Sequence, residues 1–575
     1  MSETANATKV SGVRRLVAEA GRLASLIVPP RTGGGSRLGY WLLLLVLLLV
    51  IAPVLSLLAI AFGDAGDVWP HLLSTVLPRS IMTTVWLMLG VGGLTSLLGV
   101  SSAWLVTMCR FPGRGVFLWA LLLPLAIPTY IVAYTAVDLL DYSGPAQTLI
   151  RWLFGFKSAR DYWFPEVRSL PGSILVMSFV LYPYVFLTTR ATFLMQSACA
   201  LDVARTLGAG PVRLFFAVAL PLARPAIVVG VTLAMMECLN DIGAVEFFGV
   251  KTLTFSVYDT WLNRASLAGA AQISTVMLVV VLLLLWLERR GRREQRFATT
   301  TRRYQSLPSF RLRGWRAGAA FLVCLLPILL GFVLPASVLM RSVLFHWRDN
   351  INSDFLAAAG NSLLLASVAA LLTASLGTAL AYFARSQKSA LVKAVTRLSS
   401  IGYAVPGTVL AVGILIPVAW LDNLIASSMK EWFGIASGLV LIGSGAAMLY
   451  AYCVRFMAMS YGAGETGLQR VSPNLEAAAR TLGRSPWQTL VEIDLPMIRP
   501  ALMSGALLVF VDVMKELPAT ILLRPFNFNT LATLVYGQAS LEAFEKGALA
   551  ALTIVLVGIV PVILLSRTSG RSMHE

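Results

Sequence analysis

Four carboxylates lie in otherwise apolar segments of the chain, in two pairs with the same spacing. Glu237 and Asp241 are four positions apart, and Asp512 and Glu516 repeat that spacing in the second half of the chain. If each segment is a single helix, residues four apart share one face. A carboxylate near the bilayer centre costs roughly 2.5–3.5 kcal/mol on insertion scales. We therefore expect all four to face a protein interior rather than lipid.

Asn240 and Lys515 occupy matching positions between these carboxylates. Together the six polar residues are candidates for lining a pathway through the membrane. Carboxylate oxygens are hard ligands that suit a hard metal cation. The four carboxylates are therefore also candidates for transient metal contacts: Glu237, Asp241, Asp512 and Glu516. The alternative is that the same groups form gating or structural ion pairs, for example with Lys515.

The remaining reactive side chains are scattered and predict no enzyme. The cysteines have wide spacings without a Cys-x-x-Cys motif, and the histidines are isolated: Cys109, Cys199, Cys238, Cys324, Cys453, His71, His346 and His574. Neither a disulfide framework nor a zinc site is indicated. A phosphate-binding loop ends in Gly-Lys-Ser/Thr, and none of the eight lysines follows a glycine. The chain is thus expected to hold no nucleotide, metal cofactor or catalytic site of its own.

The composition predicts a membrane protein that consists of helices. Of 575 residues, 57% are hydrophobic and only 13% are charged, with a mean hydropathy of +0.77. A soluble domain carries about 25% charged residues. Twelve apolar segments are long enough to cross a ~30 Å hydrocarbon core. They are 39–62, 81–107, 116–137, 172–193, 225–247, 269–287, 318–340, 359–384, 396–420, 437–459, 500–522 and 546–566.

Positive charge predicts the orientation in the membrane. The linker 288–317 contains ten arginines and two glutamates, which is +8 of the total net charge of +18. Basic loops lie on the cytoplasmic side, and twelve spans place the N-terminal tail 1–38 and the C-terminal tail 567–575 on that side too. A basic tether beside anionic lipid headgroups explains the linker, so we expect contact with the bilayer and no nucleic-acid binding.

The chain is a tandem repeat of two similar segments, 39–287 and 318–566, which we call the first and second repeats. Gly99, Ala103 and Pro128 recur at one constant displacement as Gly377, Ala381 and Pro406. Farther along, nearly half of the residues in 204–226 are identical to their counterparts in 479–501. Six spans per repeat give both repeats one orientation, so a pseudo-twofold axis along the membrane normal is expected. Pro128 and Pro406, inside the third spans, are candidate hinges.

The best-repeated segments, 198–224 and 473–499, are polar enough to leave the membrane on the cytoplasmic side. Each predicts a short helix, a turn at Gly208 or Gly483, and a second helix that begins at Pro211 or Pro486 and ends near a Leu-Pro pair. Glycine suits the turn because it adopts positive φ readily, and proline suits a first helical turn. The candidate functional residues of these loops are Asp202, Ala204, Arg205, Thr206, Gly208, Pro221, Glu476, Ala479, Arg480, Thr481, Gly483 and Pro496.

This doubled pattern resembles the Glu-Ala-Ala loop of ABC importer permeases, whose helix-turn-helix docks into a cleft of the ATPase subunit. The first copy reads Asp202-Val203-Ala204, then Gly208 and Leu220-Pro221. The second reads Ala477-Ala478-Ala479, then Gly483 and Leu495-Pro496, with Glu476 beside the substituted acid. The resemblance implies the type I ABC importer permease fold, and we call 198–224 and 473–499 the first and second coupling loops.

The fifth spans sharpen the resemblance. Residues 237–249, and Lys515 to Thr520 in the second repeat, are similar to ferric-iron ABC permeases. The resemblance implies a bacterial inner-membrane subunit with two ATP-binding partner subunits, a periplasmic substrate-binding protein, and ATP and magnesium on the partner ATPase. Thiamine, aminoethylphosphonate and polyamine permeases share much of the pattern and remain alternatives. A different class, an ion-coupled secondary transporter with the carboxylates as coupling sites, also remains open.

Overall fold

The computed structural model describes residues 34–64, 66, 68–195, 203–204, 206–208, 210–292, 310–387, 390–434 and 438–571. Within these residues the chain is almost entirely helical, which confirms the all-α prediction. The exception is a parallel pair of two-residue strands, Cys109–Arg110 with Phe310–Arg311. Most of the predicted N-terminal tail and linker, and the end of the C-terminal tail, lie outside the described residues.

The helices follow one another with short connections. In the first repeat the α-helices are Gly34–Ala61, Val68–His71, Leu77–Met108, Arg114–Ala120, Thr129–Leu140, Pro145–Phe154, Leu170–Met195, Pro211–Leu214, Leu220–Asn240, Gly243–Phe247, Leu253–Tyr258 and Leu267–Arg292. In the second they are Trp315–Ile328, Leu334–Asn350, Ser353–Ser386, Ala390–Ile401, Gly407–Phe433, Val440–Gly443, Ala446–Gln469, Pro473–Thr481, Pro486–Thr489, Leu495–Met514, Pro518–Leu523, Leu531–Ser540 and Phe544–Arg571. Leu123–Ala126 and Gly402–Ala404 are 3₁₀ turns.

Ten helices of the described chain are long and apolar enough to cross a membrane, or eleven if one bent pair counts as a single span. They are Gly39–Ala61, Trp69–Met108, Leu170–Leu194, Pro211–Asn240, Leu267–Gly291, Trp315–Asn350, Ser353–Arg385, Gly407–Phe433, Trp487–Met514 and Phe544–Leu564. This confirms a polytopic membrane protein. The expected span 437–459 differs, because its helix begins at Ala446 and carries Arg455 and several tyrosines, which lower its hydropathy.

The expected spans 116–137 and 396–420 are broken rather than continuous. In the first, a bend of 90° separates Arg114–Ala126 from Thr129–Phe154. Pro128 lies in the break and precedes the helix Thr129–Leu140, and Pro406 precedes Gly407–Phe433 in the same way. Proline disfavours α-helical geometry at the residue before it, and Ile127 is extended accordingly. The two prolines therefore begin helices and do not kink them from within.

Four π-helical turns end directly before a Leu-Pro pair. They are Leu72–Val76, Phe215–Ala219, Leu329–Val333 and Leu490–Asp494. Proline lacks an N–H and its ring clashes with the carbonyl four residues earlier in an α-helix, and each of these Leu-Pro pairs follows a wider π turn. The predicted helix ends near Leu220-Pro221 and Leu495-Pro496 are wrong, because one helix continues from Pro211 to Asn240 and another from Trp487 to Met514.

Two compact units contain the described helices. The smaller consists of described residues within 34–52, 370–403 and 453–509, and the larger of those within 53–369, 404–452 and 510–571. The repeated glycines have the same packing role in each. A Cβ on Gly99 would lie 2.7 Å from Val185 in the larger unit, and one on Gly377 would lie 2.7 Å from the backbone nitrogen of Tyr461 in the smaller. Both glycines allow two helices to approach closely.

Candidate functional site

The six polar pathway candidates lie where two long helices end. Leu220–Asn240 ends before Asp241, and Leu495–Met514 ends before Lys515. Each helix is followed by a short one, Gly243–Phe247 or Pro518–Leu523. The expectation that each carboxylate pair shares one helical face is therefore wrong, because only Glu237 and Asp512 belong to the long helices.

Asp241 and Asn240 organise the break in the first repeat. The Asp241 carboxylate accepts a hydrogen bond from the Thr129 hydroxyl, and another from the Ala244 N–H at 2.8 Å. The Asn240 side chain accepts the Gly407 N–H at 2.7 Å. Gly407 occupies in the second repeat the position that Thr129 has in the first. Asn240 thus satisfies a free N–H at the start of a helix in the second repeat.

Lys515 stands among carboxylates of both repeats. Its ammonium lies 2.8 Å from Asp512 Oδ1 and close enough to Glu237 and Glu516 to interact electrostatically. Glu516 also accepts the Ala519 N–H at 3.2 Å. The structure therefore brings the six candidates to one region of the larger unit and includes the ion pair weighed as an alternative. Their role in a pathway stays a prediction.

No group of three or more histidine, cysteine, aspartate or glutamate side chains is positioned to hold a metal ion in the described part of the chain. The four described cysteines are buried free thiols. Burial raises the pKa of the Cys109 thiol to about 11, so this group stays protonated and unreactive at neutral pH. Cys199 lies outside the described residues.

Two short helices, Leu253–Tyr258 and Leu531–Ser540, are structural equivalents at the same displacement that relates Gly99 to Gly377. Thr252 caps the first by accepting the Phe255 N–H at 3.4 Å, and Thr530 caps the second by accepting the Thr533 N–H at 3.3 Å. Each is also held by a hydroxyl from a long helix. Thr84 accepts the Leu253 N–H at 3.0 Å, and Ser362 accepts the Leu531 N–H at 2.8 Å.

These equivalent helices place two equivalent tyrosines in contact. The phenol oxygens of Tyr258 and Tyr536 lie 3.4 Å apart, and Tyr536 donates to Glu246 Oε2 at 2.5 Å. The Phe247 ring lies 6.3 Å from that of Tyr536. Glu246 and Tyr258 are only partly buried. The sequence pattern singled out neither tyrosine, although the repeat displacement relates them.

The turns of the two coupling loops have the same local geometry. Gly208 has φ +82° and Gly483 has φ +80°, which confirms the predicted positive φ. The Thr206 hydroxyl donates to the Val203 carbonyl at 2.8 Å, and the Thr481 hydroxyl donates to the Ala478 carbonyl at 2.7 Å. Ala479 is buried, whereas Arg480 is exposed. Asp202 and Arg205 lie outside the described residues.

Both loops present apolar side chains at their surface. Leu207 and its counterpart Leu482 are 80% and 82% exposed, and Val212 and its counterpart Trp487 are also exposed. Pro221 and Pro496 lie in the first turn of the α-helices that follow the π turns. Repeated exposed apolar side chains are typical of an interaction surface.

The second coupling loop is held by an arginine that the sequence pattern did not identify. Arg385 lies 3.0 Å from Glu476 Oε1, with side-chain exposures of 22% and 16%. It also donates to the carbonyls of Leu468 and Val471, the latter at 2.8 Å. One guanidinium therefore joins the end of helix Ala446–Gln469 to the helix Pro473–Thr481. Asp494, which is buried, lies within electrostatic range of the pair.

The first coupling loop is held differently. Trp104, the counterpart of Tyr382, makes edge-to-face ring contacts with Phe215 at 5.0 Å and Phe193 at 5.6 Å. The residue at the position of Arg385 is Thr107, and the residue at that of Asp494 is Ala219. Among the described residues of the first coupling loop, these aromatic contacts are found where the second loop has the Arg385–Glu476 pair, so the two turns are alike but their described contacts differ.

One protein family matches both halves of this chain. The model of the binding-protein-dependent transport system inner membrane component family matches residues 95–293 and, a second time, residues 373–573. The two matches cover the two halves recognised as a repeat.

Several curated relatives are transport permeases. The chain is 25% identical over 475 residues to the Fe(3+)-transport system permease protein FbpB 2 of Haemophilus influenzae, which covers 82% of this chain and 86% of the relative. It is 30% identical over 257 residues to PhnV of Salmonella typhimurium, described as a 2-aminoethylphosphonate transport system permease, covering 42% and 90%. It is 29% identical over 187 residues to the molybdenum transport system permease protein ModB of Escherichia coli, covering 31% and 78%.

Proposed function

Because the chain belongs to the binding-protein-dependent transport system inner membrane component family, with that domain present twice, we propose that it is the transmembrane permease subunit of an ATP-driven importer of ferric iron. The permease role follows from the family. The iron cargo, the ATPase partner, the alternating access and the cytoplasmic position of both termini are our proposals.

The charge of the six polar residues supports a cationic cargo. Glu237, Asp512 and Glu516 lie within electrostatic range of the Lys515 ammonium, and Asp241 lies within range of Glu237. A region lined mainly by one sign of charge concentrates ions of the opposite sign and repels like ions. This favours ferric iron over oxyanions such as molybdate and over phosphonates. The ferric relative also spans most of this chain, whereas the other two match less than half of it.

The coupling loops support an ATPase partner. Each has an exposed leucine on a fixed glycine turn, and the two turns are alike in φ and in their threonine hydrogen bonds. Two similar projections suit two copies of one ATPase subunit. ATP and magnesium would bind that subunit, and a periplasmic binding protein would deliver the cargo.

Uptake of radiolabelled ferric iron by a strain that lacks the chromosomal copy of this gene tests the cargo. Restoration by the gene, with competition by unlabelled ferric iron but not by aminoethylphosphonate, thiamine or a polyamine, supports the proposal. Competition by one of those compounds instead would assign that compound as the cargo. Uptake that persists in the absence of any copurifying ATPase, and that collapses with the proton gradient, would support a secondary transporter.

A further inference from the structure

The contact between Tyr258 and Tyr536 is a contact between a residue and its own repeat counterpart. Four structural features share one displacement: the tyrosines, the capping threonines, the helix starts at Leu253 and Leu531, and the hydroxyls that hold those starts. When a position contacts its own equivalent, the local twofold axis must pass between the two. The phenol oxygens therefore lie on opposite sides of the axis that relates these segments.

A second contact between the repeats lies near the same axis. A Cβ built on Gly243 would lie 2.9 Å from Leu517, which is the counterpart of Ile242 at the displacement that relates Glu237 to Asp512. Glu246, one helical turn beyond Gly243, is the acceptor of the Tyr536 hydroxyl. A pathway between two repeats runs along their axis, so a cargo that follows it must pass the two tyrosines and Glu246.

We propose that Tyr258, Tyr536 and Glu246 form an oxygen-lined constriction that binds the ferric cargo in transit. This inference rests on the proposed iron function. The three side chains supply two phenol oxygens and a carboxylate, which are hard donors matched to a small, highly charged cation. Both repeats contribute, because Tyr536 comes from the second and the other two from the first.

The spacing of the oxygens suits such an ion. The two contacts measure 2.5 and 3.4 Å. Ligand oxygens that share an octahedral edge around a small cation with bonds of about 2.0–2.1 Å lie about 2.9 Å apart. Small shifts of the side chains would therefore open one contact and shorten the other. Each phenol that binds exchanges its proton, which passes to water, for an iron–oxygen bond. The iron remains ferric, and no electron is transferred.

The three side chains also contact one another across this position. The hydrogen bond from Tyr536 to Glu246 and the neighbouring Tyr258 fill the position through which the ion would pass. The ring of Phe247 lies 6.3 Å from that of Tyr536 and 6.4 Å from that of Tyr134, which adds an apolar wall. The same three oxygens would thus close the pathway by hydrogen bonding to one another and open it by binding the cargo.

Two measurements test the inference, with ferric citrate as the probe. The first is the visible absorption of the purified complex with its ATPase, and the second is iron uptake by the same complex in lipid vesicles. A phenol bound to ferric iron gives a visible charge-transfer absorption, which a purely structural tyrosine does not. We expect this absorption in the unmodified complex and a weaker one in Tyr258→Phe and in Tyr536→Phe, since one phenol remains in each. Iron uptake should fall about 10-fold or more in both variants. Glu246→Gln, which keeps an acceptor for Tyr536, should retain the absorption but weaken iron binding.

Tyr40→Phe is the matched control, because the ring of Tyr40 packs on Phe383 at 5.6 Å and is retained in phenylalanine. It should leave both the absorption and uptake unchanged. If the unmodified complex takes up iron but shows no such absorption, the proposed constriction is wrong. It is also wrong if both tyrosine variants keep the absorption of the unmodified complex. Neither result would contradict the importer function. Absence of iron uptake by the unmodified complex would instead overturn the iron function and the inference with it.

Discussion

Arg385 and Glu476 form a largely buried salt bridge, 3.0 Å long, between a long helix and the second coupling loop. The glutamate stands one position before the place where the family pattern has its acid, which Ala477 occupies here. Arg385 also donates hydrogen bonds to the carbonyls of Leu468 and Val471. It therefore contacts the chain both before and after the turn that leads into the helix of Glu476. In this repeat the acid therefore holds the loop to its own chain.

Removal of either partner should loosen the second coupling loop. A buried pair that loses one member costs about 3–5 kcal/mol, and the residual exposure of these side chains reduces our expectation to about 1–3 kcal/mol for Arg385→Ala or Glu476→Ala. Thermal unfolding of the purified protein measures the loss. Arg484→Ala is the control, since its pair with Glu492 is about half exposed and should contribute less than about 1 kcal/mol. Equal effects of all three substitutions would contradict the assignment.

Exchange of the two charged residues should not restore the stability of the second coupling loop. In Arg385→Glu/Glu476→Arg the ion pair can re-form, but the carbonyls of Leu468 and Val471 lose their donor. Arg385→Lys should retain part of the stability, because an ammonium keeps the charge without the planar fork of donors. Stimulation of the partner ATPase by the loaded binding protein is the second readout. Full recovery in the exchanged pair would show that the carbonyl contacts are unimportant.

The turn glycines should tolerate alanine poorly for a backbone reason. Apart from the glycine and its two chain neighbours, no described residue has an atom within 4 Å of a Cβ built on Gly208 or Gly483, so the positive φ is what opposes substitution. An L-residue in that region costs roughly 1–2 kcal/mol, and we expect Gly483→Ala to lower the unfolding temperature and weaken copurification with the ATPase. Gly462→Ala, in an ordinary helix with equal space, should instead stabilise by roughly 0.5–1 kcal/mol. A change of stability in the same direction in both variants would contradict the role of the positive φ.

Asp512 and Lys515 allow a structural ion pair to be separated from a role in transport. Each single substitution, Asp512→Asn or Lys515→Met, should lower both stability and uptake, because it leaves a partly buried charge without the partner 2.8 Å away. The double variant should recover part of the stability, since the two losses share one contact, although Glu237 and Glu516 still lose the nearby ammonium. We expect uptake to remain low in the double variant because the cargo loses a carboxylate. If uptake recovers together with stability in the double variant, Asp512 and Lys515 form only a structural ion pair.

Asn240 should stabilise the fold by accepting a hydrogen bond from the Gly407 N–H. Asn240→Leu leaves the Gly407 N–H without the acceptor that lies 2.7 Å away, and an unsatisfied buried donor costs about 1–3 kcal/mol. Asn240→Asp keeps an acceptor and should cost less. Thermal unfolding distinguishes the two, and a larger loss in the aspartate variant would contradict this reading of the contact.

The sequence predicted features that depend on local residue types, and it failed where helices end. Apolar spans, the doubled loop and the positive φ of Gly208 and Gly483 follow from composition and from the properties of glycine. The breaks after Asn240 and Met514 were not predicted, although Gly243 and Pro518 follow them closely, because the apolar residues on both sides of each break read as one continuous span. The Thr129 hydroxyl and the Gly407 N–H, which come from distant parts of the chain, bind the residues at the first break instead.

Arg385 and Tyr536 were missed for a related reason. Each acts through contacts with residues far away in the sequence, and neither forms a local motif. A fuller search at the displacement from Gly99 to Gly377 would have paired Tyr258 with Tyr536, but not shown that they meet. Arg385 has no such signal, since its counterpart Thr107 has a different chemistry.

The most direct test of the account is transport by the purified chain in lipid vesicles, with its copurifying ATPase, the binding protein and radiolabelled ferric iron. The account predicts that iron accumulates only when ATP is on the side of the coupling loops and the loaded binding protein is on the other side. Accumulation that needs no ATPase and follows an imposed proton or sodium gradient would contradict it.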